Sequence, residues 1–233
     1  MKLKNGRDIS ALFNDIAEKY DFLNRVLSLN TDIGWRKRLV KLSEVQKGEK
    51  VLDVCTGTGD IEIEFAKVTP ADKIFGVDFS LEMLKEGSKN IVDRDYRGRI
   101  TNLVADALNL PFRSETFNVV TVSFGLRNLT DYRAGISEMT RVLKDDGRLL
   151  VLEFAMPDRK IVNIFYGFYL KRILPIVGGV LTGKKSAYEY LSDSIAGFLK
   201  PDEVVEIMRS EGLKRLESLP LMGGTVYIYK GGK

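Results

Sequence analysis

The sequence predicts an α/β fold: a mostly parallel sheet covered by helices on both faces, with an antiparallel pair at its C-terminal end. Three observations predict it. Short apolar runs alternate with helical periodicity between residues 50 and 154. A Gly-rich turn joins the first of these runs to the helix that follows. Near the C-terminus, two strand-like runs are joined by too few residues for a crossover, so they must pair antiparallel.

The elements follow in order. Residues 8–45 read as helices, with Ile9, Leu12, Phe13, Ile16 and Tyr20 at helical spacing. Asn30-Thr31-Asp32 offers a cap for a further helix through Trp35, Leu39 and Leu42. Val51-Leu52-Asp53-Val54 is a short buried strand, followed by a glycine turn and a helix from Asp60 to Val68. Strands over Lys73–Val77, Ile100–Val104 and Phe117–Val122 alternate with helices over Ser80–Val92 and Tyr132–Leu143. Lys144-Asp145-Asp146-Gly147 reads as a turn into a fifth strand, Arg148–Phe154. There the alternation stops, and residues 157–195 read as a helical, aromatic, Gly-containing insertion. A helix from Pro201 to Glu211 carries its proline where the first turn tolerates it. The runs Leu213–Leu219 and Thr225–Tyr229, joined through Pro220 and Gly223-Gly224, complete the sheet. Residues 1–233 are expected to form a single domain, with 1–46 as a helical cap.

Composition narrows the chemistry. There is one Cys, Cys55, and no His. An intramolecular disulfide and a Cys/His metal cluster are therefore excluded, so no metal is expected. The commonest general base is also missing, which leaves carboxylates, Tyr, Lys or water to move protons. The first ten residues lack an apolar signal region, and the run Ile161–Leu170 stops at Lys171-Arg172 and Pro175, too short for a span. A cytoplasmic location is expected, with peripheral contact to the inner membrane face left open. The net charge of +4 is mild and scattered, so no nucleic-acid partner is expected.

Candidate ligand-binding residues cluster at strand ends. In Val51-Leu52-Asp53-Val54-Cys55-Thr56-Gly57-Thr58-Gly59-Asp60, Gly57 and Gly59 let backbone approach a ligand around Thr58. A dehydrogenase would hold a pyrophosphate here, but Asp53 and Asp60 would repel it and Glu62 occupies the third glycine position. Two carboxylates suit a ligand with a cationic amino-acid end. Asp78, about 20 residues on, is placed to accept ribose hydroxyls; alternatively, a member of Asp78-Phe79-Ser80 only caps the next helix. Asp106 follows the third strand and could accept from an adenine amino group while Ala107 offers its N–H. Ser123 ends the fourth strand.

Taken together, these positions resemble a class I S-adenosylmethionine-dependent methyltransferase. Longer strings narrow the resemblance: Tyr20-Asp21-Phe22-Leu23-Asn24, Ser123-Phe124-Gly125-Leu126-Arg127-Asn128, Arg141-Val142-Leu143, Gly147 to Phe154, and Tyr188-Glu189-Tyr190-Leu191. They are similar to the ubiquinone/menaquinone biosynthesis C-methyltransferases across nearly the whole chain. The resemblance implies a Rossmann-like seven-stranded sheet and S-adenosyl-L-methionine as cofactor, held by Thr58, Asp78, Asp106, Ala107 and Ser123, with Asp53, Gly57, Gly59 and Phe79 beside them. It implies methylation of a ring carbon of a demethylated polyprenyl quinol, either 2-demethylmenaquinol or a methoxy-benzoquinol. Another small-molecule acceptor is the alternative. This chain carries Asp32 and Asp106 where relatives commonly have His and Asn, and Ser192-Asp193 follows Tyr-Leu where they often have Pro.

Under that resemblance, and with no His available, Arg127 is expected to stabilise a developing phenolate and Tyr20 or a carboxylate-held water to take a proton, with Asn24 and Asn128 orienting the ring. The competing readings are an ion pair for Arg127 and simple helix packing for Tyr20 and Asn24. The insertion 157–195 is expected to form a lid whose apolar face (Ile161, Ile164, Phe165, Phe168, Tyr169, Ile173) borders Lys171, Arg172, Lys184 and Lys185. That face suits an isoprenoid tail and a transient membrane-surface contact, or a homodimer.

Overall fold

A computed structural model describes residues 14, 24–26, 28–94, 96, 98–182 and 185–233. The expectations for Ile9 to Phe13, Ile16, Tyr20 and Lys184 lie outside the described residues.

After α1 (Thr31–Leu42) the chain runs through β1 (Lys50–Val54), α2 (Asp60–Val68), β2 (Lys73–Asp78), α3 (Leu81–Asp93), β3 (Ile100–Val104) and β4 (Phe117–Ser123). It continues through α4 (Tyr132–Val142) and β5 (Leu143–Phe154) into a helical segment of α5 (Lys160–Phe168), a π turn (Tyr169–Ile173), α6 (Leu174–Thr182) and α7 (Lys185–Ala196). Then come α8 (Pro201–Ser210), β6 (Lys214–Leu221) and β7 (Val226–Gly232). The seven strands form one sheet in the order β3-β2-β1-β4-β5-β7-β6. The first five are parallel, and β7 lies antiparallel to both β5 and β6. This is the Rossmann-like seven-stranded arrangement expected from the sequence.

The apolar runs exist because the sheet is covered on both faces. Successive residues of β1 face opposite ways. Leu52 and Val54 join Val120, Val122, Ile136 and Met139 in one core, while Val51 joins Leu39, Phe65, Ile74 and Val119 in the other. A third, smaller cluster (Leu170, Leu174, Ala187, Tyr188, Ile195) holds α5–α7 together. Pro175 stands at the exit of the π turn, where it has no N–H to return to the preceding turn.

Three local readings change. Lys144–Gly147 is not a separate turn but part of β5: Phe117 pairs with Leu143 and Val119 with Arg148, so the extra residues bulge out of the ladder with Asp145 and Asp146 exposed. Asn30 precedes α1 in the left-handed region (φ 62°) without a side-chain cap. Asp32 does not cap the helix either; it turns inward to two arginines. By contrast Ser80 caps α3, its Oγ accepting from Met83 N at 3.1 Å.

Candidate active site

The strand order reverses between β1 and β4, and a parallel sheet opens a crevice outside the carboxyl ends at such a point. Both strands end in backbone that turns left-handed at once, at Cys55 (φ 57°) and Phe124 (φ 58°). A Cβ on Gly125 would lie 2.4 Å from that of Cys55, so only glycine lets these two turns sit side by side.

The first turn continues through Gly57 (φ 59°) and Gly59 (φ 83°) into α2. It is tied to the end of β2 by Asp78, whose Oδ2 accepts from Gly57 N at 2.9 Å and whose Oδ1 accepts from Ser80 N at 2.8 Å. A carboxylate offers about four acceptor sites, more than these two amides use. Burial raises the Asp78 carboxyl above its usual range, against the pull of the amides of Ser80, Gly57 and Phe79. Helix capping, one of the alternatives read from the sequence, falls to Ser80, while Asp78 ties the turn to the end of β2. Gly87 of α3 packs directly on the turn, where a Cβ would meet the Thr58 carbonyl carbon at 3.1 Å. Thr58 itself is buried.

Along the same edge, Asp106 is exposed, its Oδ1 accepting from Leu108 N at 2.9 Å, and Ala107 lies buried beside it. Phe79 and Val104 expose apolar side chains at the ends of β2 and β3, flanking this position. Ser123, the last residue of β4, has a buried Oγ with no hydrogen-bond partner among the described residues.

Two acidic residues are placed differently from expectation. Asp53 is 1% exposed and sits beneath the turn, where its Oδ1 accepts from Thr121 Oγ1 at 2.6 Å. Burial pushes its carboxyl up to about 7, against the pull of Thr121 and Thr56. Asp60 does not face a ligand alone: Arg25 Nη2 holds its two oxygens at 3.0 and 2.8 Å. Glu62, at the missing third glycine, is wholly buried against Asn102 Nδ2 at 3.2 Å. Burial and the neighbouring Asp53 push it up to about 8.

A second compartment adjoins this edge. A cavity of about 600 Å³ is enclosed by α1 (Asp32, Trp35, Arg36), Phe124, Arg127 and Phe154 at the ends of β4 and β5, the α5–α7 segment (Tyr166, Tyr169, Tyr188, Tyr190), and the β6–β7 connection (Met222, Thr225). Its aromatic floor brings Phe124 and Phe154 to 4.6 Å between centroids, with Trp35 6.1 Å from Phe124. Arg127 lines the cavity while its guanidinium meets Glu153 at 2.7 Å and also donates to the Phe124 carbonyl. The ion pair weighed for Arg127 is present, and the same side chain lines the cavity. Asn128 accepts from Tyr190 Oη at 2.9 Å, and Asn24 lines the cavity.

Sequence reasoning missed Arg36, Glu153 and the four tyrosines as a group. Only Glu153 left a signal: it is the lone charge in the apolar run from Leu149 to Phe154, and a buried charge requires a partner. A further unforeseen cluster closes the cavity wall. Asp32 receives Arg25, Arg36 and Ser28 Oγ (2.7 Å), and Arg36 also approaches Asp60 at 3.6 Å. Burial alone would raise the Asp32 carboxyl, but Arg36, Ser28 and Arg25 outweigh it and hold it below its usual value.

Known proteins share both the sequence and the fold. The ubiquinone/menaquinone biosynthesis C-methyltransferase of Geotalea uraniireducens is 41% identical over 231 residues, covering 99% of this chain and 98% of that protein. The demethylmenaquinone methyltransferase of Thermotoga maritima is 44% identical over 212 residues, covering 91% and 90%. Among solved structures, a SAM-dependent methyltransferase from Aquifex aeolicus superposes with a TM-score of 0.61 at 16% identity over 84% of this chain and 88% of its own. A phosphoethanolamine N-methyltransferase from Haemonchus contortus, solved with S-adenosyl-L-methionine, gives 0.65 at 15% identity over 85% and 52%. At such identities the structures speak for the fold alone. The family model described as the ubiE/COQ5 methyltransferase family matches residues 1–233, and with the sheet and crevice in place the chain belongs to that family.

Proposed function

We propose that this S-adenosylmethionine-dependent methyltransferase methylates a ring carbon of a demethylated polyprenyl quinol, a 2-demethylmenaquinol or a methoxy-benzoquinol. One observation carries the reading: Ser123 ends the polar strand edge, and the next residue, Phe124, floors the apolar cavity. A donor site and an acceptor site one residue apart are what a direct transfer requires.

The residues present fit the donor. The orphaned Ser123 Oγ asks for a partner, since a buried hydroxyl left unpaired costs about 1–3 kcal/mol. Asp78 keeps acceptor capacity for the ribose hydroxyls, Gly57, Thr58 and Gly59 supply backbone, and Asp106 with Ala107 takes the base between Phe79 and Val104. Asp53 supports the turn from below. When bound, the donor supplies an electrophilic methyl group on a sulfonium.

The protein's own part is alignment and electrostatics. A cavity of about 600 Å³ falls in the range of small-molecule sites and suits a ring with the start of an isoprenoid tail. Arg127 supplies positive charge to a phenolate oxygen as it develops. Glu153 and Phe124 hold the guanidinium in place, and Asn128 orients the polar rim. Tyr20 is retained as a proton acceptor from the sequence. The α5–α7 segment acts as a lid that excludes water. Its outer face exposes Ile164, Phe165, Phe168 and Ile176 beside Lys171 and Arg172, a pattern suited to transient docking on an anionic membrane surface. Among the described residues no helix is long and apolar enough to cross a membrane. Flotation with anionic liposomes tests docking; protein left soluble but dimeric in sedimentation would give that face to a second copy.

The test of the function is transfer of radiolabelled methyl from S-adenosylmethionine to a panel of demethylated naphthoquinols, benzoquinols and simple phenols. Transfer to a quinol with a prenyl chain supports the reading. Transfer only to another phenol supports the alternative, a methyltransferase of a different small molecule.

A further inference from the structure

The carbonyl of Phe124 can only accept hydrogen bonds. Asn128 Nδ2 lies 3.4 Å from it, so the amide nitrogen of Asn128 faces Phe124 and its oxygen faces the other way. That oxygen lies 2.9 Å from Tyr190 Oη and must receive the Tyr190 proton. The chain of constraints runs from a backbone carbonyl at the end of β4, through Asn128, to a tyrosine on α7. It ends at the cavity, which Tyr190 lines. With its proton committed to Asn128, Tyr190 Oη turns lone pairs, not a donor, towards any ligand.

Four other polar groups on the cavity wall are satisfied differently. Arg36 and Arg127 are donor-only side chains that point at carboxylates, and Asp32 is taken by Arg25, Arg36 and Ser28. Thr225 Oγ1 donates to Met222 O at 3.2 Å. Among these groups Tyr190 is the one that lines the space with its hydroxyl hydrogen already given to a neighbour, Asn128.

We infer that Tyr190, oriented by Asn128, is the acceptor-binding residue that reads the redox state of the ring by receiving a hydrogen bond from a quinol hydroxyl. A quinol has an O–H to give. The corresponding quinone presents only carbonyl lone pairs, which face the Tyr190 oxygen without a hydrogen between them. The contact therefore favours the reduced ring, the form whose carbon is nucleophilic, and places its hydroxyl next to the end of β4. This inference rests on the quinol reading above and specifies how the site selects that substrate.

Trp35 is the sole tryptophan and lines the cavity, so its fluorescence reports occupancy. The probes are a naphthoquinone carrying one isoprene unit and the same compound reduced by dithionite, titrated without oxygen in the presence of S-adenosylhomocysteine. The wild type is expected to bind the quinol about tenfold more tightly than the quinone, the size of one net hydrogen bond. Tyr190→Phe is expected to erase the preference by weakening the quinol alone, with quinone affinity unchanged. Asn128→Leu, which frees the tyrosine proton to rotate, is expected to narrow the preference in the same direction. A Tyr190→Phe protein that keeps the preference, or that loses both ligands equally, overturns the inference. If such a protein accompanies a wild type that methylates the quinol, the quinol reading survives and Tyr190 alone is removed. If the wild type binds neither ring and methylates neither, both fall.

Discussion

Arg127 and Glu153 face each other at 2.7 Å with their side chains 3% and 0% exposed, inside the wall of the cavity. Removing either partner strands a buried charge. Glu153→Ala is expected to lower unfolding free energy by about 3–5 kcal/mol, read from urea denaturation. A loss under 1 kcal/mol would mean that water reaches the pair.

Arg127 also serves chemistry in this reading, and the two roles separate in Arg127→Lys. Lysine keeps the charge but not the planar guanidinium whose Nη1 donates to both Glu153 and the Phe124 carbonyl. Turnover is expected to fall at least ~10-fold while S-adenosylhomocysteine affinity is unchanged, since one lost charge-assisted hydrogen bond is worth about 1.5–3 kcal/mol. Unchanged turnover would leave Arg127 a purely structural residue.

Ser123→Ala removes a buried hydroxyl that has no hydrogen-bond partner among the described residues. Stability is therefore expected to hold or rise slightly, while donor affinity falls about tenfold, the worth of one hydrogen bond. Thermal unfolding and calorimetry on the same samples check both halves.

The parts of this site that could be read from sequence were those built by neighbours in the chain. The strand over Lys50–Val54, the glycine turn and Asp60–Val68 form one continuous segment, so β-branched residues, Gly and the strand's period specify it locally. Ser80 caps α3 for the same short-range reason. The cavity was hidden because α1, the ends of β4 and β5, α7 and the β6–β7 connection meet only after folding. Tyr190 and Asn128 are 62 residues apart, and no periodicity links them. Asp53 misled because a carboxylate beside glycines looks ligand-facing; which side of the strand it lies on depends on Thr121 of the neighbouring strand.

The buried acids Asp53 and Glu62 give stability a pH dependence. Their carboxyls rise to about 7 and about 8 on folding, from usual values near 4, so the folded state holds more protons across that window. Their contribution is complete below pH ~4 and is lost as pH rises through 7 to 8, with a slope of up to about 1.4 kcal/mol per pH unit per group. Glu62→Gln keeps an acceptor for Asn102 and is expected to flatten the decline in melting temperature between pH 5 and 9. An unchanged slope would show that Glu62 is ionised in the folded protein.

Gly125→Ala tests the close approach of the two strand-end turns. Its Cβ would collide with Cys55 Cβ, an atom attached to backbone that cannot swing aside. A stability loss of about 1–3 kcal/mol is expected in denaturant melts. A neutral substitution would mean that the turns are further apart.

The claim beneath all of these is that the carboxyl edge of the sheet binds a sulfonium nucleoside through Asp78, Asp106 and Ser123. Calorimetric titration of S-adenosylhomocysteine against wild type and Asp78→Ala tests it most directly. One site per chain in the wild type, none detectable in Asp78→Ala, and no heat with NAD are expected. Equal binding by both proteins, or binding of NAD in place of the nucleoside, would contradict it.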